Sequence, residues 1–320
     1  MRHIRKGALA IGLALSAADA GASCGAAFCL VNTDWSVQGA WTEPGVRGDL
    51  RYESIDQDQP RRGTHNVAVG EIPAQHDEVE TRNRNLVGTL DWSFAPQWGV
   101  SLTIPYVDRF HEHIHNHQGE KIVEQWDFRE PGDVRAVGRY EFMRSLEDPA
   151  KPSVAGLTFG VKLPTGKHDV KNGDGEEAER SLQPGTGTTD LVLGVYWQKA
   201  LALEDLSWFA QAQGVVPMSS KDGFKPGSQL RVDAGIRQGV LHDGAVMLQL
   251  NYVAKGRDSG ENAEPEDSGQ RVLFASPGVS WNLGRNAQVY AFAQLPLYQY
   301  VNGVQLTARY SFVAGVSSRF

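Results

Sequence analysis

The chain has 320 residues, a formal charge of −7 and an acidic balance that argues against a nucleic-acid partner. Beyond its N-terminus no apolar run approaches the ~18–20 residues that a membrane helix requires. A mean hydropathy of −0.37 looks soluble, yet a barrel with one apolar face and long polar loops gives the same average.

Residues 1–20 read as a signal peptide. Arg2, Arg5 and Lys6 make a basic start, 8–15 an apolar run too short to span, and Ala18-Asp19-Ala20 a small-residue cleavage site. Residues 21–43 follow as a periplasmic or plug segment, in which Trp35 and Trp41 are candidate anchors. This segment holds both cysteines, Cys24 and Cys29. Export puts them in a disulfide-permissive compartment, so a small-loop disulfide is expected, with a two-thiol metal or redox site as the alternative.

From residue 44 to 320, segments of about ten residues alternate in polarity, which places apolar and polar sets on opposite faces of successive strands. Val46, Leu50 and Tyr52 oppose Arg47, Asp49, Arg51 and Glu53. Leu90, Trp92 and Phe94 oppose Asp91, and Trp98, Val100, Leu102, Ile104 and Tyr106 oppose Ser101 and Thr103. Ala136, Tyr140 and Phe142 face away from Arg135, Arg139 and Glu141; Leu157, Phe159 and Val161 from Lys162; Leu191, Leu193 and Val195 from Asp190. Trp208 and Ala210 oppose Gln211 and Gln213, Val232 and Ile236 oppose Arg231, Asp233 and Arg237, and Leu248 and Leu250 oppose Gln249 and Asn251. Val272 and Phe274 differ in parity from Val279, Trp281 and Leu283, which predicts a bulge at Ser276-Pro277, since proline cannot donate to a ladder. Val289, Ala291 and Leu295 oppose Gln288 and Gln294. In the last segment Leu306, Ala308, Tyr310, Phe312, Ala314, Val316 and Phe320 share one parity, and Val313 is an apolar exception on the other.

About twelve such segments result. Their connections alternate between long (56–85, 108–130, 165–187) and shorter (95–97, 143–152, 199–205), continuing through 218–227, 240–244, 257–269, 284–287 and 298–305. Short periplasmic turns opposite long outer loops, with an even strand count, predict an all-β transmembrane antiparallel up-and-down barrel of the outer membrane. The ending in Phe320 resembles the closing strand of bacterial outer-membrane barrels, which implies the barrel-assembly machinery as a partner besides outer-membrane lipid. A charge facing lipid costs about 2–4 kcal/mol at the midplane. The charged set Arg47, Asp49, Arg51, Glu53, Asp91, Arg135, Arg139, Glu141, Lys162, Asp190, Arg231, Asp233 and Arg237 is therefore expected to line the lumen, where opposite signs can pair.

The sharpest local motif is His111-Glu112-His113-Ile114-His115-Asn116-His117. Its four histidines share the parity of Ser101 and Thr103, so an outward continuation of that strand points all four to the inner side. There they could share a Zn²⁺, Cu²⁺ or Ni²⁺ ion or sense pH, with His65 and His76 as further ligands; a solvated loop tip is the plainer reading. The acidic loop with Asp169, Asn172, Asp174, Glu176, Glu177 and Glu179, like Asp258, Glu261, Glu264, Glu266 and Asp267, reads as a solvated rim or a place for divalent-cation bridging. Lys171 spoils a Ca²⁺ loop. No His-x-Ser occurs, and His168-Asp169 and His242-Asp243 are adjacent pairs whose side chains diverge on a strand. No enzyme is expected.

Leu163-Pro164-Thr165-Gly166 and Pro184-Gly185-Thr186-Gly187-Thr188-Thr189-Asp190 resemble the signature of the meta-pathway phenol-degradation outer-membrane family. The runs Phe274-Ala275-Ser276-Pro277-Gly278-Val279-Ser280-Trp281 and Val289-Tyr290-Ala291-Phe292-Ala293-Gln294-Leu295-Pro296 are similar to its closing strands. The likeness covers roughly residues 80–320; the cysteine pair and histidine run look like marks of a subgroup. It implies a transporter-like barrel of unstated substrate. The functional expectation is a channel or transport component for small solutes. A surface metal-binding barrel and a structural barrel with a filled lumen are the alternatives.

Overall fold

The computed structural model describes residues 29–38, 44–73, 76–117, 120–145, 153–201, 205–240 and 242–320. The expected signal peptide, Cys24 and Trp41 lie outside these residues. The strands in chain order are β1 (Gly45–Gly63), β2 (His65–Asn66), β3 (His76–Ala95), β4 (Trp98–His117), β5 (Glu120–Pro131), β6 (Arg135–Ser145) and β7 (Ser153–Lys162). They continue with β8 (Asp190–Leu201), β9 (Leu206–Pro217), β10 (Gln229–Val240), β11 (Gly244–Lys255), β12 (Gln270–Leu283) and β13 (Ala287–Arg319).

Each strand pairs antiparallel with its neighbours, and β13 pairs back onto β1 from Arg47↔Arg319 to Gly63↔Val301. Eleven elements form the closed ring; β2 pairs only with β1, and β5 only with the outer half of β4. A ring with an odd number of staves cannot be antiparallel throughout, and β13 resolves the conflict. Its first part pairs with β12 up to Gln270↔Val301, its last part with β1. The element therefore doubles back at Asn302-Gly303, where Gly303 takes φ +52°, a left-handed value that favours glycine. Ten elements give one stave each and β13 gives two, so the wall has twelve. Closure leaves the described staves of the ring without an open edge, which hydrocarbon would penalise heavily.

The wall sorts its residues as the alternation predicts. Leu50, Leu90, Leu102, Leu193, Leu248, Val279 and Phe312 are exposed on its outer surface. An aromatic girdle runs round the short-turn end, with Trp98 4.5 Å from Tyr140, Trp197 4.9 Å from Trp208, and Trp92 against Phe94. From Trp92 up to Leu86 the apolar face covers about 20 Å of strand at roughly 3.3 Å per residue. Both β1 and β13 have their free ends on this short-turn side.

Three expectations need correction. β12 keeps one parity throughout: Val272 and Phe274 point inward and are buried, while Val279, Trp281 and Leu283 point out. Pro277 sits in regular register opposite Leu248, and the slip in pairing lies next to Leu273, where β13 skips Leu297. Second, Leu306 and Ala308 are buried instead of outward, because pairing with β1 is irregular between Ile55 and Gln59; the outward face starts at Tyr310. Third, the spans 56–85 and 108–130 are largely strand, because β1, β3 and β4 continue past the membrane and β5 folds back along β4.

The apolar core lies inside the barrel. Cys29, Val31 and Trp35 from the N-terminal segment pack with inward Ile55, Met247, Tyr290, Phe292 and Val313. Leu30 packs with Val253, Val272 and Phe274, and Val37 with Val154 and Tyr196. Val313, Val272 and Phe274 break the outward pattern because they face this inserted segment.

Candidate functional site

The waist of the lumen is occupied by residues 29–38. Asp34 opens a single turn there: its Oδ1 accepts from Val37 N at 3.1 Å while its carbonyl accepts from Gln38 N at 3.0 Å. The segment is tied to the wall on several sides. Asn32 N donates to Gln249 Oε1 and Gln249 Nε2 returns a bond to Asn32 O, both at 3.0 Å. Asn32 Nδ2 donates to Gln211 Oε1 at 2.6 Å and to Asp233 Oδ2 at 3.3 Å. Cys29 N donates to Glu53 Oε2, Trp35 Nε1 to Asp49 Oδ2, and Arg231 Nη2 to Leu30 O. Cys29 is a free, buried thiol that donates to Gln294 Oε1 at 3.1 Å; its expected disulfide partner, Cys24, lies outside the described residues.

The inward charges divide into groups. Arg47 lies 3.8 Å from Asp91 across β1 and β3, Arg51 2.9 Å from Glu53, and Arg139 2.9 Å from Glu141. Lys162 bridges Asp133 at 2.7 Å and Asp190 at 3.2 Å. Arg135 instead reaches Gln213 Oε1 at 2.8 Å. Arg51, Arg135 and Arg231 together with Asp49, Asp91 and Asp233 line a cavity of about 160 Å³ beside the segment. Arg237 lies farther along the same face of β10. Sequence reasoning missed the amides that hold the segment, above all Asn32. Gln211, Gln249 and Gln294 were visible as the polar parity of their strands, but nothing marked what they would grip.

The family-like motifs do structural work at the rim. Gly166 N donates to Asp133 Oδ1 and Thr186 N to Asp133 Oδ2, at 3.0 and 2.9 Å. Gly166 and Gly185 pack backbone to backbone, so a Cβ on Gly166 would stand 2.9 Å from Gly185 Cα. Thr188 Oγ1 donates to Asp190 Oδ1 at 2.7 Å. These contacts turn the loop between β7 and β8 back over the opening. Ala178 and Leu182 of that loop are then buried under Val107, Trp126 and Phe128, and Arg109 Nη1 donates to Leu182 O.

Under this cap the histidines are brought together in part. His111 and His113 point inward and are fully buried, 0% and 2% exposed. His76, on β3, stacks on His113 with ring centroids 4.5 Å apart. His115 is more open and lies 3.6 Å from Glu124; the side chain of His117 lies outside the described residues, and His65 is exposed on β2. His113 Nε2 is 2.9 Å from Glu124 Oε2, and His111 Nδ1 is 2.8 Å from Thr81 Oγ1. Burial pushes both imidazoles below the usual histidine range. Glu179, from the β7–β8 loop, lies 3.5 Å from His76 and 3.7 Å from His113, and Glu264, from the β11–β12 loop, 3.9 Å from His76. Burial pushes the Glu179 carboxyl up, and burial with Glu179 alongside raises Glu264 to about 9. Two groups in this cluster could hold a metal ion: His76 with His113 and Glu179, and Glu78 with His111 and His113. The rest of the acidic loop is exposed and closes on itself, Asn172 Oδ1 accepting from Asp174 N and Glu176 N.

No protein-family model and no curated protein sequence matches the chain, so the likeness to the phenol-degradation family gains no family match. Among solved structures, the chain is similar to an outer membrane channel from Pseudomonas putida F1, with TM-score 0.63 and 10% identity over 87% of this chain and 96% of that one. The KdgM porin follows at TM-score 0.43 and 9% identity, covering 86% and 99%, and the NanC porin at 0.43 and 11%, covering 85% and 100%. The first likeness is one of fold. Together with the outward apolar belt it makes this chain a β-barrel of the bacterial outer membrane.

Proposed function

We propose that the chain is a narrow channel for small hydrophilic solutes, with residues 21–43 acting as its plug. The single observation that carries the proposal is the waist. A wall of both charge signs surrounds a polar cavity, and inward apolar side chains such as Ile55, Met247 and Phe292 pack against residues 29–38. A barrel built solely as a scaffold would gain by filling its lumen with apolar side chains, because burying ion pairs is costly. Here the filling is a separate segment, held by hydrogen bonds to amides such as Gln211 and Gln249 and to charged groups such as Glu53, Asp49 and Arg231, on a polar wall that water can solvate in its place. The outer belt makes lipid the surrounding partner, and the strand ending in Phe320 is the part proposed to engage the assembly machinery. No catalytic role is assigned to any residue.

The test is conductance in planar bilayers, paired with liposome swelling in small sugars and amino acids. The mature protein is expected to pass small ions in brief openings, and a variant lacking residues 29–38 to pass them continuously. If neither form passes ions or solutes, the channel reading is wrong and the filled-lumen scaffold takes its place.

A further inference from the structure

We propose that the capped mouth is a binding site for one zinc-class transition-metal ion, held by His76, His113 and Glu179. These ligands come from β3, β4 and the β7–β8 loop, so the ion would staple the cap to the wall. The site goes beyond the channel reading and does not depend on it.

The geometry is that of a prepared site. The candidate donor atoms of His76, His113 and Glu179 all lie within 4.8 Å of one another. Both carboxylate oxygens of Glu179 are buried and accept no hydrogen bond, an arrangement that costs free energy and that a cation would relieve. His113 shows the outer partner expected of a metal-bound imidazole: its Nε2 faces Glu124 Oε2 at 2.9 Å. With that nitrogen protonated, Nδ1 carries the lone pair, and it is Nδ1 that faces Glu179 at 3.7 Å. A cavity of about 370 Å³ bounded by His76, His113, His115, Glu124, Trp126 and Glu179 gives an ion room to enter.

A fourth ligand is at hand. His111 Nε2 lies 3.3 Å from His113 Nδ1, and two nitrogens bound tetrahedrally at about 2.0–2.1 Å stand roughly 3.3 Å apart. Without metal, Thr81 O–H can donate to His111 Nδ1 and His111 Nε2–H to His113 Nδ1. When an ion takes the His113 lone pair, His111 can shift its proton to Nδ1, since the Thr81 hydroxyl accepts as readily as it donates. That frees His111 Nε2 to bind. Imidazole with carboxylate selects zinc and its neighbours over magnesium or calcium, which prefer all-oxygen shells.

The test uses the untagged mature protein in detergent, stripped with chelator and titrated with Zn²⁺ and with Co²⁺. One ion per chain is expected, with the visible absorption of tetrahedral cobalt. His76→Ala, His113→Ala and Glu179→Gln should each weaken zinc at least about tenfold, and Glu124→Gln by about 10–100-fold through the outer partner. His65→Ala, on the exposed β2, should leave affinity unchanged. Heat-modifiable gel mobility confirms that each variant barrel has folded. Absence of stoichiometric binding would overturn the proposal, as would affinity that survives the triple replacement or that falls with His65→Ala.

Discussion

The waist and the mouth of this barrel are both blocked by chain that is not wall, yet the chemistry of the two blocks differs. At the waist, residues 29–38 bring amides, an indole and a few apolar side chains, and the wall answers with Gln211, Gln249, Gln294, Asp49 and Asp233. At the mouth, buried imidazoles and buried carboxylates meet, and Glu179 has no hydrogen bond at either oxygen. In the first block the segment's own Asn32, Trp35 and Ser36 all find protein partners. The second is built like a socket. The contrast teaches that polarity inside a barrel is not one property: satisfied polar groups lock a segment, unsatisfied ones await a ligand.

The largest way to break this comparison is to delete residues 29–38. Conductance should rise several-fold while zinc affinity at the mouth stays the same; a change in both would mean that the two blocks are one unit. Next in size is Trp35→Ala. This side chain is 2% exposed and stands 4.9 Å from Tyr290, and its loss should weaken docking of the segment by about 3–5 kcal/mol. Thiol labelling of Cys29 reads this directly, since a loosened segment exposes a sulfur that is now buried. Asn32→Ala should cost about 1–3 kcal/mol by orphaning the amides around it, measured as a smaller gain in labelling. The smallest effect belongs to the mouth: in chelator, Glu264→Gln should leave cap stability within about 0.5 kcal/mol, measured by protease resistance. Its carboxyl, raised to about 9, is already protonated at neutral pH, so the amide changes little. A large loss there would show that the acid is ionised and paired, against the socket reading.

Much of the wall was legible in the sequence, because hydrocarbon outside and charge inside impose a period of two that a short window reveals. Leu248 and Leu250 against Gln249 and Asn251 need no other information. What was not legible follows from what that period encodes. It records which side a residue faces and not what covers that side, so Val272, Phe274 and Val313 looked like errors of parity until Leu30, Val31 and Trp35 explained them. Past the membrane both faces are polar, and the alternation of Glu80, Arg82 and Arg84 with Thr81, Asn83 and Asn85 carries no hydrophobic mark. Strands therefore read as loops there. The histidine run was visible, and its inward aim holds for His111 and His113. The partners Glu179 and Glu264 were not, since loops distant in sequence bring them in.

The seam between β1 and β13 has a consequence for assembly. A cylinder whose first and final staves must meet is not sealed until they do, and residues 29–38 are tethered to the foot of the first by a short stretch of chain. Whatever order the hairpins form in, the occupant travels with the wall and is enclosed as the edges join. Its fit inside is then tested once, at closure, and a segment too bulky for the bore would show itself as barrels that fail to seal.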